Sequence, residues 1–247
     1  MRVLIVDTET GGFKKPLAPI EVAGMYVNSA VVRHTPKATG EFLEYFKPLQ
    51  PMEYGAVAVH NILPYQLQDS PPWNAGLWEQ KRLLGVTHMV AHNVDFDAEV
   101  LGVPDTVKRI DSLALARYWV PDLDSHKLGA MMYYLFGMTE ETKQQLQDAH
   151  SALADVRNLA RIVVALVDKF APQVQNWDEL YQASELGRIP YRFSFGKYGP
   201  KDGKQGMRIR DFMSEVRVNA EFRSYLGWMR REFAKDKYLM AALDKPR

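Results

Sequence analysis

Three short acidic segments, far apart along the chain, limit its possible folds more than any other feature. They read IVDTETGG, with Asp7 and Glu9; VAHNVDFDAEVL, with Asp97; and HSALADVRNLARI, with His150 and Asp155. Each carboxylate adjoins a strongly apolar stretch, where a lone charge is costly to bury. Brought together, four acids and one His suit two divalent cations and a general base. That equipment hydrolyses phosphodiester bonds.

Asp7 and Glu9 are two positions apart on an apolar strand, so both point to one sheet face, near its end. Two like charges placed so repel unless a cation neutralises them. Asp97 opens a helix after a buried strand, and Asp155 lies in the first turns of a long helix, five residues after His150. A turn or a helix cap would account for any one of these acids alone. Asp95 shares the segment with Asp97 and suits the capping role better. With no cysteine in 247 residues, disulfides and thiolate metal sites are excluded. Any metal is held by oxygen or imidazole, which suits Mg²⁺ or Mn²⁺, two ions per site.

The rest of the chain supports one domain with an appendage. Residues 2–6, 20–27 and about 41–47 read as strands of an antiparallel meander, and THMVAH as a further buried strand. GAVAVH leads into a Pro-rich loop. WNAGLWEQKRLLG has helical spacing at Leu77, Trp78, Lys81 and Leu84. KRIDSLALARYWVP reads as strand into helix, and HKLGAMMYYLFG as an apolar helix closed by Gly137. The clearest helix is SALADVRNLARIVVALVDKF, with apolar positions at Leu159, Ile162, Val163, Leu166 and Val167. Strands first, then strand–helix alternation, argue for an α/β fold with a mixed sheet flanked by helices.

Charge divides the chain. Residues 1–187 hold 16 Lys and Arg against 23 Asp and Glu, whereas residues 188–247 hold 15 against 7. An acidic part that collects cations is thus followed by a basic, aromatic segment suited to a polyanion. The expected domains are 1–170, a linker helix over 171–187, and a small basic α+β module over 188–247. Phe195, Phe212 and Trp228 are expected in the module's core, with Tyr191 and Tyr198 left for contact. The first strand begins almost at Met1, with no targeting segment and no bilayer-spanning run, so a cytoplasmic location without membrane contact is the default expectation.

In this order and spacing, DTETGG, HNxxFD and HxxxxD resemble the three motifs of the DnaQ-like 3′–5′ exonucleases over about residues 2–170. The resemblance implies an RNase H-like fold, with Asp7, Glu9, Asp97 and Asp155 as metal-binding acids and His150 as general base. The Tyr-type subclass carries Tyr four positions before the last Asp. Here that position is Ser151 and His150 stands at five, so the chain resembles the His-type (DEDDh) subclass. In such a site Asp7 would bridge the ions, Glu9 and Asp155 would join it on the first, and Asp97 would act on the second through water. AVAVHNI resembles the family's HGIT-like segment, with Asn61 where the family has Gly. It implies that His60, together with Thr10 and Phe96, contacts the 3′-terminal nucleotide. Asp111 reads as structural. The tail segments RFSFGKYGPKDGKQGMRIRDFM and YLGWMRREF resemble the C-terminal module of the exodeoxyribonuclease X group, with extra residues at 199–206. The implied partner is DNA with a single-stranded or frayed 3′ end. RNA is the alternative, because the acids do not separate DNA from RNA, and a non-catalytic nucleic-acid binder is a further one. A homodimer is left open.

Overall fold

The computed structural model describes residues 1–32, 38–147 and 152–246, and divides between Met1–Ser184 and Glu185–Arg247. The first unit is built on a five-stranded sheet. Its strands are β1 (Arg2–Thr10), β2 (Pro19–Val27), β3 (Ala38–Tyr45), β4 (Val86–Ala91) and β5 (Lys108–Asp111), in the order β3-β2-β1-β4-β5. The first three form the antiparallel meander, while β1–β4 and β4–β5 run parallel. The parallel pairs need crossovers, and the helices that supply them cover the faces. β2 is buried at all nine positions, so its sequence PIEVAGMYV is apolar almost throughout instead of alternating.

The pleat divides β1 between two cores. Val3 and Ile5 pack with Ala23, Met25 and Val27 against α4 (Ser112–Trp119), α5 (Leu128–Phe136), α7 (Ala152–Phe170) and α8 (Trp177–Gly187). Leu4 and Val6 pack with Val22 and Tyr26 against α2 (Ala75–Arg82) and α3 (Val94–Leu101). In α7 all five expected apolar positions are buried, from Leu159 to Val167. α1 (Tyr54–His60), α6 (Glu140–Gln147) and a 3-10 turn at Pro64–Leu67 are the unit's other helical segments among the described residues. α1 takes in the GAVAVH segment expected only to lead into a loop. The periodicity read in α2 overstates its buried face. Trp78 alone turns inward, while Leu77 and Leu84 are exposed and Lys81 and Arg82 reach Glu44.

The segment 171–187, expected as a linker, contributes to the first core. Trp177 and Leu180 are fully buried there, Trp177 Nε1 donates to the Ser29 carbonyl at 2.9 Å, and Ser184 Oγ accepts from the Asp111 amide at 2.7 Å.

The second unit holds α9 (Ile209–Val218), α10 (Ala220–Glu232) and α11 (Lys237–Asp244) around Phe193, Ile209, Phe212, Met229, Leu239 and Leu243. Its expected strand is reduced to a bridge between Arg192 and Arg208. Phe212 is core as expected, but Phe195 is 39 % and Trp228 37 % exposed. On α10 the inward stripe is Phe222, Tyr225, Leu226 and Met229, a helical i, i+3, i+4, i+7 spacing that leaves Trp228 to one side. Tyr198, assigned to contact, instead sits amid the rings of Phe212, Phe222 and Tyr225, with centroids at 5.0, 4.8 and 5.0 Å.

Candidate active site

The site forms where β1 ends. Asp7 and Glu9 continue the Val3–Ile5 side of the strand, toward α7, in register with Ala23 and Glu21 of β2. Thr8 and Thr10 take the other side and are buried. Beyond Thr10, Gly11 and Gly12 turn the chain against a loop. The Glu53 amide donates to the Gly11 carbonyl at 2.7 Å, and Gly12 has φ +148° with the Glu53 side chain where a Cβ would project. A side chain at Gly12 would strain the backbone and displace Glu53, which explains why the acidic motif closes on glycine.

Asp97 reaches the same strand end from α3. It is 4 % exposed, and Thr8 Oγ1 donates to its Oδ1 at 2.8 Å. Asp95 does not hold the N-cap position assigned to it. The N-cap position of α3 is Asn93, in the left-handed region, and Asp95 is an exposed first-turn residue 4.0 Å from Arg109. Asp111 is structural as read. Its Oδ1 caps α4 by accepting from Leu113 and Ala114, and it also accepts from the Asn93 amide at 3.1 Å. Asp155 lies in the first turn of α7.

Electrostatics shows how these acids act on one another. Burial, then the charges of Asp97, Asp155, Glu9 and Glu21, push the Asp7 carboxyl well above its usual range. Burial, then Glu21 and Asp155, raise Glu9 to about 7. Burial raises Asp97 to about 7 against the opposing Thr8 hydrogen bond. Four carboxylates from β1, α3 and α7 therefore share one electrostatic site. Among the described residues no three His, Asp or Glu side chains close as a ready-made ligand set. Mutual repulsion keeps carboxylates apart when nothing neutralises them. The donor set, with Asp97 buried and Asp7, Glu9 and Asp155 half-buried, consists of carboxylate oxygens and fits a hard divalent cation.

Of the remaining expected site residues, His150 lies outside the described residues. His60 is 3 % exposed and its Nδ1 accepts from the Ile62 amide at 3.0 Å, so Nε2 carries the proton. Thr10 Oγ1 donates to the Gly12 carbonyl at 3.1 Å. Phe96 meets the exposed Phe13 edge-on, with centroids 6.0 Å apart. Sequence reasoning passed over Phe13 and, more consequentially, Glu21. The signal for Glu21 was available, since it is the lone charge in an otherwise apolar strand.

A profile of the Exonuclease family matches residues 4–163. Among solved structures, exonuclease X in complex with 5′-overhanging duplex DNA superposes with TM-score 0.55 at 22 % identity, covering 74 % of this chain and 99 % of that one. A zinc-bound E. coli exonuclease I–ssDNA complex gives 0.54 at 20 %, covering 70 % of this chain and 41 % of that one. The nuclease domain of 3′hExo, a DEDDh family member bound to rAMP, gives 0.50 at 17 %, covering 71 % and 96 %. No curated protein matches the sequence. With nearly two thirds of its length under that profile and the sheet order and acids in place, the chain belongs to the exonuclease family, of the DnaQ-like kind that its three motifs resemble.

Proposed function

We propose that the chain is a divalent-metal-dependent 3′–5′ exodeoxyribonuclease that shortens single-stranded or frayed DNA ends to nucleoside 5′-monophosphates. The observation that carries this reading is that Asp7 and Glu9 share one face at the end of β1, where Asp97 of α3 accepts from Thr8 at 2.8 Å and Asp155 stands in the first turn of α7. Asp7, Glu9, Asp97 and Asp155 would hold two Mg²⁺ or Mn²⁺ ions, which when bound supply positive charge to the attacked phosphate and both reacting oxygens. Thr8 holds Asp97 in orientation through its 2.8 Å bond. His150 accepts the proton of the attacking water. Thr10, His60, Phe96 and the adjoining glycine turn receive the terminal nucleotide. The basic residues 188–247 add phosphate contacts to the same nucleic-acid strand.

The test is degradation of matched DNA and RNA oligonucleotides, each labelled at the 5′ end, with Mg²⁺, Mn²⁺ or chelator. The reading expects a ladder of 5′-labelled products that shorten from the 3′ end on DNA, stops with chelator, and is absent in the Asp97→Asn variant. Faster RNA degradation would replace the DNA assignment with an exoribonuclease. Binding without hydrolysis under every metal would leave a non-catalytic binder.

A further inference from the structure

Glu21 is a buried acid for which the hydrolytic reading above has no use. It is 1 % exposed, in a strand buried at every position. It stands in register with Glu9 on one side and Tyr45 on the other, so Glu9, Glu21 and Tyr45 form a row across β1, β2 and β3. Directly opposed residues on an antiparallel pair have Cβ atoms about 5 Å apart, and like charges so placed are unfavourable. Something must offset an acid kept there.

The offset comes from a helix 131 residues away. Glu21 Oε2 accepts from the Ala152 amide at 3.3 Å, and Tyr45 stands beside it in register on β3. Ala152 is the first residue of α7. The first amides of a helix have no intrahelical acceptor, and the helix dipole favours an anion there. Glu21 thus caps α7 from another element. The same helix carries Asp155 three residues further on, within reach of the charges of Asp7 and Glu9.

We propose that Glu21 is a positioning residue of the hydrolytic site: its carboxyl pins the N-terminus of α7 to β2 and so sets Asp155 against Asp7 and Glu9. The proposal rests on the exonuclease reading for its consequence in turnover, and on the hydrogen bond alone for the pinning. A sheet-borne acceptor serves this purpose better than a local Ser or Asp cap. A local cap orders the helix end but leaves its place over the sheet free, whereas Glu21 ties that end to the strand beside β1.

The test uses the full-length chain with Glu21→Gln and Glu21→Met. Gln keeps an acceptor for the Ala152 amide. Met keeps the bulk and removes the acceptor, in a strand that already accommodates Met25. Hydrogen exchange at the Ala152 amide and steady-state kinetics on a single-stranded oligonucleotide are read together. In Glu21→Met, exchange at Ala152 should quicken roughly five- to thirtyfold, the loss expected for one cap. Its kcat should fall up to about a hundredfold, as a small misplacement of a catalytic group costs. KM should hold. Glu21→Gln should keep the amide protected and restore most of kcat. Native protection in Glu21→Met, or lost protection with full kcat, overturns the proposal. So does a Glu21→Gln variant that keeps Ala152 protected yet loses as much kcat as Met, since the charge would then be what matters. Should the native chain hydrolyse no substrate while protection follows Glu21, the pinning is supported and the exonuclease reading is what fails.

Discussion

Asp97 carries the most direct consequence of the site's electrostatics. Its carboxyl is held near 7 instead of the ordinary 3.8, so the folded protein keeps a proton that the unfolded chain releases between those values. Stability contributed at this position therefore falls as pH rises through that window and levels above it. His60, His88 and His92 have pKa values lowered by desolvation and act in the opposite sense over part of the same range, so the effect is read as a difference. Asp97→Asn keeps an acceptor for Thr8 and removes the charge. In chelator, its melting temperature should exceed the native one by an amount that grows from about pH 4 to pH 7 and then holds. Mg²⁺ should narrow the gap by stabilising the native protein alone. A pH-independent difference would mean that Asp97 ionises normally. Turnover should be lost in the same variant, whereas Asp95→Ala, at an exposed position that does not cap α3, should keep most activity. For His150, the expected loss on substitution by Ala is two to four orders of magnitude, roughly the range for general-base removal, together with the acidic limb of the pH–rate profile. A surviving limb would assign the proton to another group.

At the level of elements, the site depends on how helix ends are tied down. Asp111 joins the starts of two helices, capping α4 while accepting from the Asn93 amide that begins α3. Asp111→Ala should cost about 1–3 kcal/mol, a lost cap plus an amide left unpaired. It should also slow turnover through Asp97, measured by urea denaturation and kcat on one preparation. An unchanged kcat at reduced stability would show that α3 is held by its packing alone. A close approach inside the sheet gives a second prediction at this scale. A Cβ at Gly24 would lie 2.4 Å from the Phe42 ring and 3.0 Å from Leu4. Gly24→Ala should therefore destabilise by about 1–3 kcal/mol, the usual cost of overpacking. Elements with sustained periodicity, such as α7, were legible in the sequence because one face repeats over five turns. α1 was not, because a seven-residue helix of GAVAVH composition has no distinctive period. The cap of α3 was misassigned because Asn93 enters the left-handed region, a conformation that composition does not announce.

For the whole molecule, the contrast between an acidic first part and a basic tail makes ionic strength the informative variable. Binding of a single-stranded oligonucleotide, with Ca²⁺ in place of Mg²⁺, should weaken with salt. Each phosphate contact supplied by residues 188–247 adds roughly 0.7 to the log–log slope on a single strand. Removing those residues should flatten the slope and leave hydrolysis of a dinucleotide nearly intact. Equal slopes for the two chains would give the tail a structural or docking role instead. Its aromatics should contribute little by stacking, because Tyr198 and Phe212 are spent on the unit's own core, while the more exposed Phe195 and Trp228 remain the rings to substitute.

What the sequence determined by itself is local chemistry. It specified the four candidate acids and the absence of thiolates, the two carboxylates on one face of β1, the buried stripe of α7, and the order of motifs that resembles the DnaQ-like exonucleases. Only the tertiary structure decided what depends on register and on contacts across long separations. It placed Glu21 opposite Glu9, brought the Ala152 amide to it from 131 residues away, drew the segment after residue 171 into the first core, and put Tyr198 inside the ring cluster rather than on the surface. Side-chain direction along a strand or helix follows from a short period readable in the chain. Which strand lies beside which, and in what register, follows from the packing of many apolar faces at once, and no single segment encodes it.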